Sequence, residues 1–147
     1  MDKTQFIQKL EELNFKNLFF LRPRRFGKSL HLSMLEFYYG IQHKNRFDEL
    51  FGQYFIGKPE NTTPLKSSYY ILKFNFSGIR TDETDNIFMH FTTEVRGAVD
   101  VFLRTYKLVS EDEREAIYAL NDSNSILRNF LSKIQGSNPG VSIYIFL

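Results

Sequence analysis

Arginine, glycine, lysine and serine crowd into one short stretch, Arg22-Pro23-Arg24-Arg25-Phe26-Gly27-Lys28-Ser29. That combination suits the holding of a multiply charged anion. Backbone N–H groups that wrap a phosphate need glycine for close approach. A helix starting near Lys28 points its unpaired N–H groups, and the positive end of its dipole, at the charge. Lys28 would reach the β- and γ-phosphates, and the Ser29 hydroxyl would ligate Mg²⁺. Gly27-Lys28-Ser29 supplies the second half of the phosphate-loop pattern G-x-x-x-x-G-K-[ST]. The first glycine of that pattern falls at position 22, where Arg22 stands instead, and Pro23 removes one N–H donor. Spacing alone leaves two readings open: a phosphate loop, or a turn that opens a helix with Lys28 merely solvated. Position favours the first, because the tripeptide follows an apolar run and begins an amphipathic stretch. Gly57-Lys58-Pro59 shares the glycine and lysine but lacks the hydroxyl and that setting.

Arg22, Arg24, Arg25 and Lys28 form the one dense basic cluster. It reads as charge that neutralises a triphosphate, as a nucleic-acid backbone contact, or as a solvated loop paired with carboxylates. The other chemistry-bearing residues have simpler readings. His31, His43 and His90 are scattered without metal-ligand spacing and read as packing or surface residues. Asp82, Glu83 and Asp85, and again Glu111, Asp112, Glu113 and Glu115, suit helix N-termini. Asn75 and Ser77 close a strand on the edge where open α/β sheets bind ligands, although asparagine there is also turn chemistry.

The elements around these residues follow from periodicity. Phe6, Ile7, Leu10 and Leu13 recur at helical spacing from Thr4, with Asp2 or Thr4 as the cap. Leu18-Phe19-Phe20-Leu21 is a short apolar run of the buried-strand kind. Leu30, Met34, Leu35 and Tyr38 give one helical face, most simply core, with Gly40 as the stop. A short helix over 46–51 and a surface loop over 57–68 follow. Tyr69 to Phe76 reads as a second strand. A long helix opens at 81–83 and runs to about Leu108, with Ile87, Phe91, Val95, Val99 and Phe102 on one face and a possible break at Gly97. Helices over 111–120 and 124–134, a turn over 136–140 and an apolar strand over 141–147 complete the chain. Strands alternating with helices predict a mainly parallel sheet covered by helices. The final strand, unpaired, would be a sticky edge.

The 147 residues fit one domain, and 42% hydrophobic with 24% charged residues is a globular composition rather than a disordered one. A net charge of +2 is too small to recruit nucleic acid or membrane by bulk electrostatics. No cysteine is present, which excludes disulfides, thiolate metal sites and cysteine nucleophiles. Met1-Asp2-Lys3-Thr4-Gln5 lacks an apolar run behind a basic start and does not read as a signal peptide. No stretch approaches the roughly 20 apolar residues of a membrane span. A cytoplasmic location is expected.

Arg22 to Leu30, preceded by Phe19-Phe20-Leu21, closely resembles the AAA-ATPase-like family of predicted prokaryotic ATPases, whose variant phosphate loop (Walker A) has arginine in place of the first glycine. The resemblance takes in Asp2-Lys3-Thr4 with Phe6-Ile7, the stretch Leu30 to Tyr39, and Phe74-Asn75-Phe76-Ser77. It implies a three-layer α/β fold of the P-loop NTPase type, with a parallel sheet and flanking helices, incomplete at its C-terminal end. Residues 1–147 would be the N-terminal part of such a domain. It implies ATP with Mg²⁺ as cofactors, contacted through Arg22, Arg25, Phe26, Gly27, Lys28, Ser29 and Leu30, with Ser29 on the metal. Nucleic acid enters as a partner only through the family context. In such proteins a strand like Val141 to Leu147 leads into an acidic pair that holds Mg²⁺ through water. The chain stops at Leu147, before that pair, so weak binding and negligible hydrolysis are expected. The alternative is a non-catalytic module whose arginine loop contacts nucleic acid or a protein; a fragment that does not fold stably is a third possibility.

Overall fold

The computed structural model describes residues 2–14, 17–19, 27–79 and 87–147. Two compact units emerge, Met1–Tyr69 and Tyr70–Leu147. Among the described residues the architecture is α/β, with six α-helices and a two-stranded parallel sheet.

In the first unit the α-helices are α1 (Phe6–Leu13), α2 (Lys28–Tyr39) and α3 (Phe47–Phe51), with 3₁₀ turns at Ile41–Arg46 and Phe55–Gly57. Its core is Ile7, Leu35, Tyr38, Tyr39, Phe47, Phe51 and Ile56, all buried. Aromatic rings dominate it. Tyr38 meets Phe47 and Phe51 edge-on at 5.7 and 5.5 Å between centroids, and Phe47 stacks on Phe51 at 5.2 Å. The Lys66 ammonium sits 3.9 Å over the Phe47 ring. Of the expected α1 face only Ile7 is buried; Phe6 and Leu13 are exposed.

Asp2 and Thr4 do not cap α1, whose N-cap position is Gln5. One Asp2 oxygen accepts from the Thr4 N–H at 2.8 Å and the other from the Phe55 N–H at 2.7 Å. The Thr4 hydroxyl accepts from the Ile56 N–H at 3.2 Å. Side chains of capping type therefore satisfy a distant turn instead. Burial opposes ionisation of the Asp2 carboxyl, but the Phe55 and Thr4 N–H donors outweigh it and hold it below the ordinary carboxylate value.

The loop after that turn is fastened from two helices. Gln8 donates to the Asn61 carbonyl at 2.9 Å. The Thr63 N–H donates to the Tyr38 phenol oxygen at 2.9 Å, and the Thr63 hydroxyl donates to Glu11. The Tyr38 hydroxyl then donates to Thr63 Oγ1 at 2.9 Å. Glycine at 57 is required by proximity, because a Cβ there would lie 1.9 Å from the Phe51 carbonyl oxygen.

The expected strand over 18–21 is not found where it can be examined. Leu18 and Phe19 are not in a strand and Phe19 is 89% exposed; Phe20 and Leu21 lie outside the described residues.

In the second unit β1 (Tyr70–Lys73) is followed by α4 (Ile87–Tyr106), α5 (Glu111–Tyr118), α6 (Ser123–Ser137) and β2 (Ile143–Phe146). The strands pair in parallel with Tyr70 beside Ile143 and Lys73 beside Phe146. Parallel pairing needs a long crossover, and the three helices provide it. Leu72 and Phe74 pack on Val95, Val99, Phe102 and Leu103 of α4 and on Ile126, Phe130 and Ile134 of α6. The face predicted for α4 is thus the one that is buried. Phe102 meets Phe130 edge-on at 5.0 Å. Ser110 and Glu113 cap α5 reciprocally, and Asp122 caps α6 by accepting from the Ser125 N–H at 2.9 Å. α4 runs unbroken through Gly97, where an added Cβ would meet nothing within 4 Å. No helix among the described residues is long and apolar enough to cross a membrane.

Two glycines should respond to alanine with opposite signs. Gly97→Ala should stabilise by about 1 kcal/mol, since the helix gains propensity without a clash. Gly57→Ala should destabilise by roughly 1–3 kcal/mol, since the Phe51 backbone must move. Urea midpoints of the two variants check both. Asp2 gives a pH prediction. Its folded pKa lies below its unfolded one, so its contribution is complete above the unfolded value and is lost as pH falls through the folded value. Asp2→Asn should therefore lower the melting temperature at neutral pH and narrow its gap to wild type under acid, as read from melts at pH steps from neutral down.

Candidate phosphate site

Four of the seven expected site residues lie in the described part of the chain. Gly27 is the N-cap of α2, and Lys28, Ser29 and Leu30 form its first turn. Arg22, Arg25 and Phe26, with Pro23 and Arg24, lie outside the described residues. Gly27 has φ 72° and ψ 25°, the left-handed conformation in which a side chain is strained. An added Cβ there would meet nothing within 4 Å, so the glycine answers to backbone conformation and not to crowding by a described neighbour.

The helix starts at once from that turn, with the His31 N–H donating to the Gly27 carbonyl at 3.0 Å. As at any helix start, the N–H groups of Lys28, Ser29 and Leu30 have no carbonyl one turn back within the helix. Among the described residues no side chain caps α2, and its first turn contains no acidic residue. The contrast with α5 and α6 is direct, since the Ser110 hydroxyl accepts from the Glu113 N–H at the start of α5 and the Asp122 carboxylate accepts from the Ser125 N–H at the start of α6. Gly27, Lys28, Ser29 and Leu30 are all exposed, which places an ammonium and a hydroxyl side by side at the start of the helix. This set can hold an anion, and a hydroxyl oxygen suits a hard divalent cation.

The far half of α2 is firmly set. The buried positions are His31, Leu35, Tyr38 and Tyr39, displaced from the expected face; Leu30 is 73% exposed. Gly40 does end the helix, but in an extended conformation, with its N–H donating to the Glu36 carbonyl at 2.9 Å. Glycine is needed there because a Cβ would lie 2.6 Å from that same oxygen.

The remaining candidates are placed plainly. Asn75 Oδ1 accepts from the Ser77 N–H at 3.2 Å and from the Ser77 hydroxyl at 2.7 Å, which is turn chemistry. His31 is buried, and His43 packs edge-on against Phe37 at 4.5 Å, where burial lowers its pKa. Among the described residues no group of three His, Asp or Glu is placed to hold a metal. Asp82, Glu83 and Asp85 lie outside the described residues. Periodicity did not disclose a shallow groove of about 340 Å³ beside Phe88, Met89, Thr92, Arg96, Asn121 and Asp122. Two of its polar side chains are engaged elsewhere, for Arg96 donates to the Leu120 carbonyl at 2.7 Å and Asp122 caps α6.

Comparison with known proteins gives one match. Residues 1–146 fit the AAA-ATPase-like family model, described as predicted AAA-ATPase. No curated protein and no solved structure matches. With the match spanning nearly every residue, the chain belongs to the AAA-ATPase-like family of predicted AAA-ATPases.

Proposed function

We propose that the start of α2 is the phosphate-holding part of an ATP site. One observation carries this reading: Gly27 is left-handed immediately before an uncapped helix that opens Lys28-Ser29. That geometry directs backbone N–H groups outward at a point where the dipole is positive. Lys28 adds a mobile cation for the outer phosphates, and Ser29 adds a hydroxyl for Mg²⁺. Arg22 and Arg25 contribute further positive charge, and Phe26 and Leu30 contribute backbone N–H donors. Family membership supports the nucleotide as the anion. ATP with Mg²⁺ brings the chemistry of phosphoryl transfer; the residues named here bind and orient it.

The same reading takes both units as parts of one P-loop domain, a parallel sheet between helical layers. The parallel β1–β2 pair and its helical crossover support this. A chain of this composition without a membrane-crossing helix among its described residues suits a cytoplasmic role.

A thermal melt with and without Mg²⁺-ATP tests the site. At about 100 times its dissociation constant a ligand adds about 2.7 kcal/mol, an easily measured shift. Lys28→Ala should remove that shift while leaving the ligand-free melt in place, because Lys28 is exposed. Gly27→Ala should weaken binding as well, through strain at φ 72°. An ATP-dependent shift that persists in Lys28→Ala would refute the assignment. Binding to polynucleotides that falls steeply with salt, with no response to ATP, would move the function to the arginine loop as a nucleic-acid contact.

A further inference from the structure

We propose that Thr63 is a positioning residue of the phosphate site: from a loop against the far end of α2, it sets the pose in which that helix presents Lys28 and Ser29. The proposal rests on the phosphate reading of the Gly27 turn and adds what holds that turn in place. The last turn of a helix leaves carbonyls without partners in the helix. In α2 the segment Thr63 to Tyr69 supplies partners for two of them. The Ser67 N–H donates to the Tyr38 carbonyl at 2.9 Å and the Tyr69 N–H to the Tyr39 carbonyl at 3.0 Å. In return the Tyr69 carbonyl accepts from the N–H of Ile41, just past the helix, at 2.9 Å.

Thr63 closes this clamp through side chains. Its N–H donates to the Tyr38 phenol oxygen and its Oγ1 accepts from the Tyr38 hydroxyl, each at 2.9 Å. Its own hydroxyl donates onward to Glu11 of α1. The chain of donors ends on that carboxylate, so loss of the Thr63 hydroxyl breaks the link to Tyr38 and the link to Glu11 together. The segment holds this path at a conformational cost. Ser67 is left-handed at φ 49°, and among the described residues its buried hydroxyl has no partner. Both features disfavour serine, and they persist only where the surroundings dictate the path.

Ring packing and hydrogen bonding contribute differently. Tyr38, Phe47 and Phe51 keep the helix against the core, but apolar burial is non-directional. Hydrogen bonds weaken steeply with misalignment, so those at Tyr38 and Tyr39 fix the rotation of the helix and its advance along its axis. α2 has 12 residues and is about 18 Å long, so a small shift at Tyr38 is carried to Lys28.

Calorimetric titration with Mg²⁺-ATP, well below the melting temperature of every variant, tests the proposal. Thr63→Val and Tyr38→Phe should each raise the dissociation constant about tenfold, since binding depends on a pre-organised turn. The double variant should be no worse than either single one, because both break the same chain. Thr63→Ser, which keeps the hydroxyl, should restore binding. Val99→Ala, in the core of the second unit, should lose stability and leave the dissociation constant unchanged. Unchanged affinity in Thr63→Val, no rescue by serine, or an equal loss in Val99→Ala would each overturn the positioning role. Amide exchange separates this failure from failure of the site itself. If the unaltered chain does not bind Mg²⁺-ATP, the phosphate reading falls, and exchange of the His31 N–H, bonded to the Gly27 carbonyl, judges the clamp alone. That amide should exchange faster in Thr63→Val than in Thr63→Ser; equal rates would refute the clamp.

Discussion

A helix can offer its N-terminus to an anion only if the rest of the helix is held still. In this protein the holding falls on Tyr38. Its ring lies fully buried against Phe47 and Phe51, and its hydroxyl is both donor to Thr63 Oγ1 and acceptor from the Thr63 N–H. Burial raises its pKa, so the phenol keeps the proton that this bonding scheme needs. Thr63 passes the connection on to Glu11 of α1. The exposed first turn of α2 is thereby carried by a helix whose other end is fixed by ring packing and by two hydrogen bonds to Thr63.

The N-terminal segment belongs to the same construction. Asp2 and Thr4 accept from Phe55 and Ile56, and Ile56 is wholly buried beside the aromatic cluster. The turn they secure leads into the loop that contains Thr63. Asp2-Lys3-Thr4 and Gly27-Lys28-Ser29 thus have different tasks. The first fastens the platform, and the second is what the platform presents.

Much of this was legible in the sequence. The long face of α4, the acidic start of α5, the helix that follows Gly27 and the final strand all follow from local periodicity and charge, and the structure honours them. The misreadings share one cause. α2 has two sets of residues at helical spacing; Leu30 and Met34 mark one, and His31 and Tyr39 mark the other, with Leu35 and Tyr38 common to both. Hydropathy prefers the first because His31 is polar, but the fold buries His31 and Tyr39 and leaves Leu30 exposed. Asp2 and Thr4 look like caps, yet their partners lie 53 and 52 residues away. The run expected as a strand over 18–21 is described only at Leu18 and Phe19, which are not in a strand. What a sequence conceals here is the identity of the distant partner.

Hydrogen-bond accounting shows where the structure is self-contained and where it is open. Backbone groups in a folded protein need partners, and this chain provides them with side chains at several costly points. Ser110 and Asp122 serve helix starts, Asp2 and Thr4 serve a distant turn, Tyr106 serves a sheet edge, and Arg96 and Asn138 serve the Leu120 and Leu108 carbonyls. Among the described residues the same chemistry is not applied at the start of α2, although serine stands there. A left-handed glycine opens that helix beside an exposed lysine and hydroxyl, and donors combined with positive charge are what the proposed anion needs.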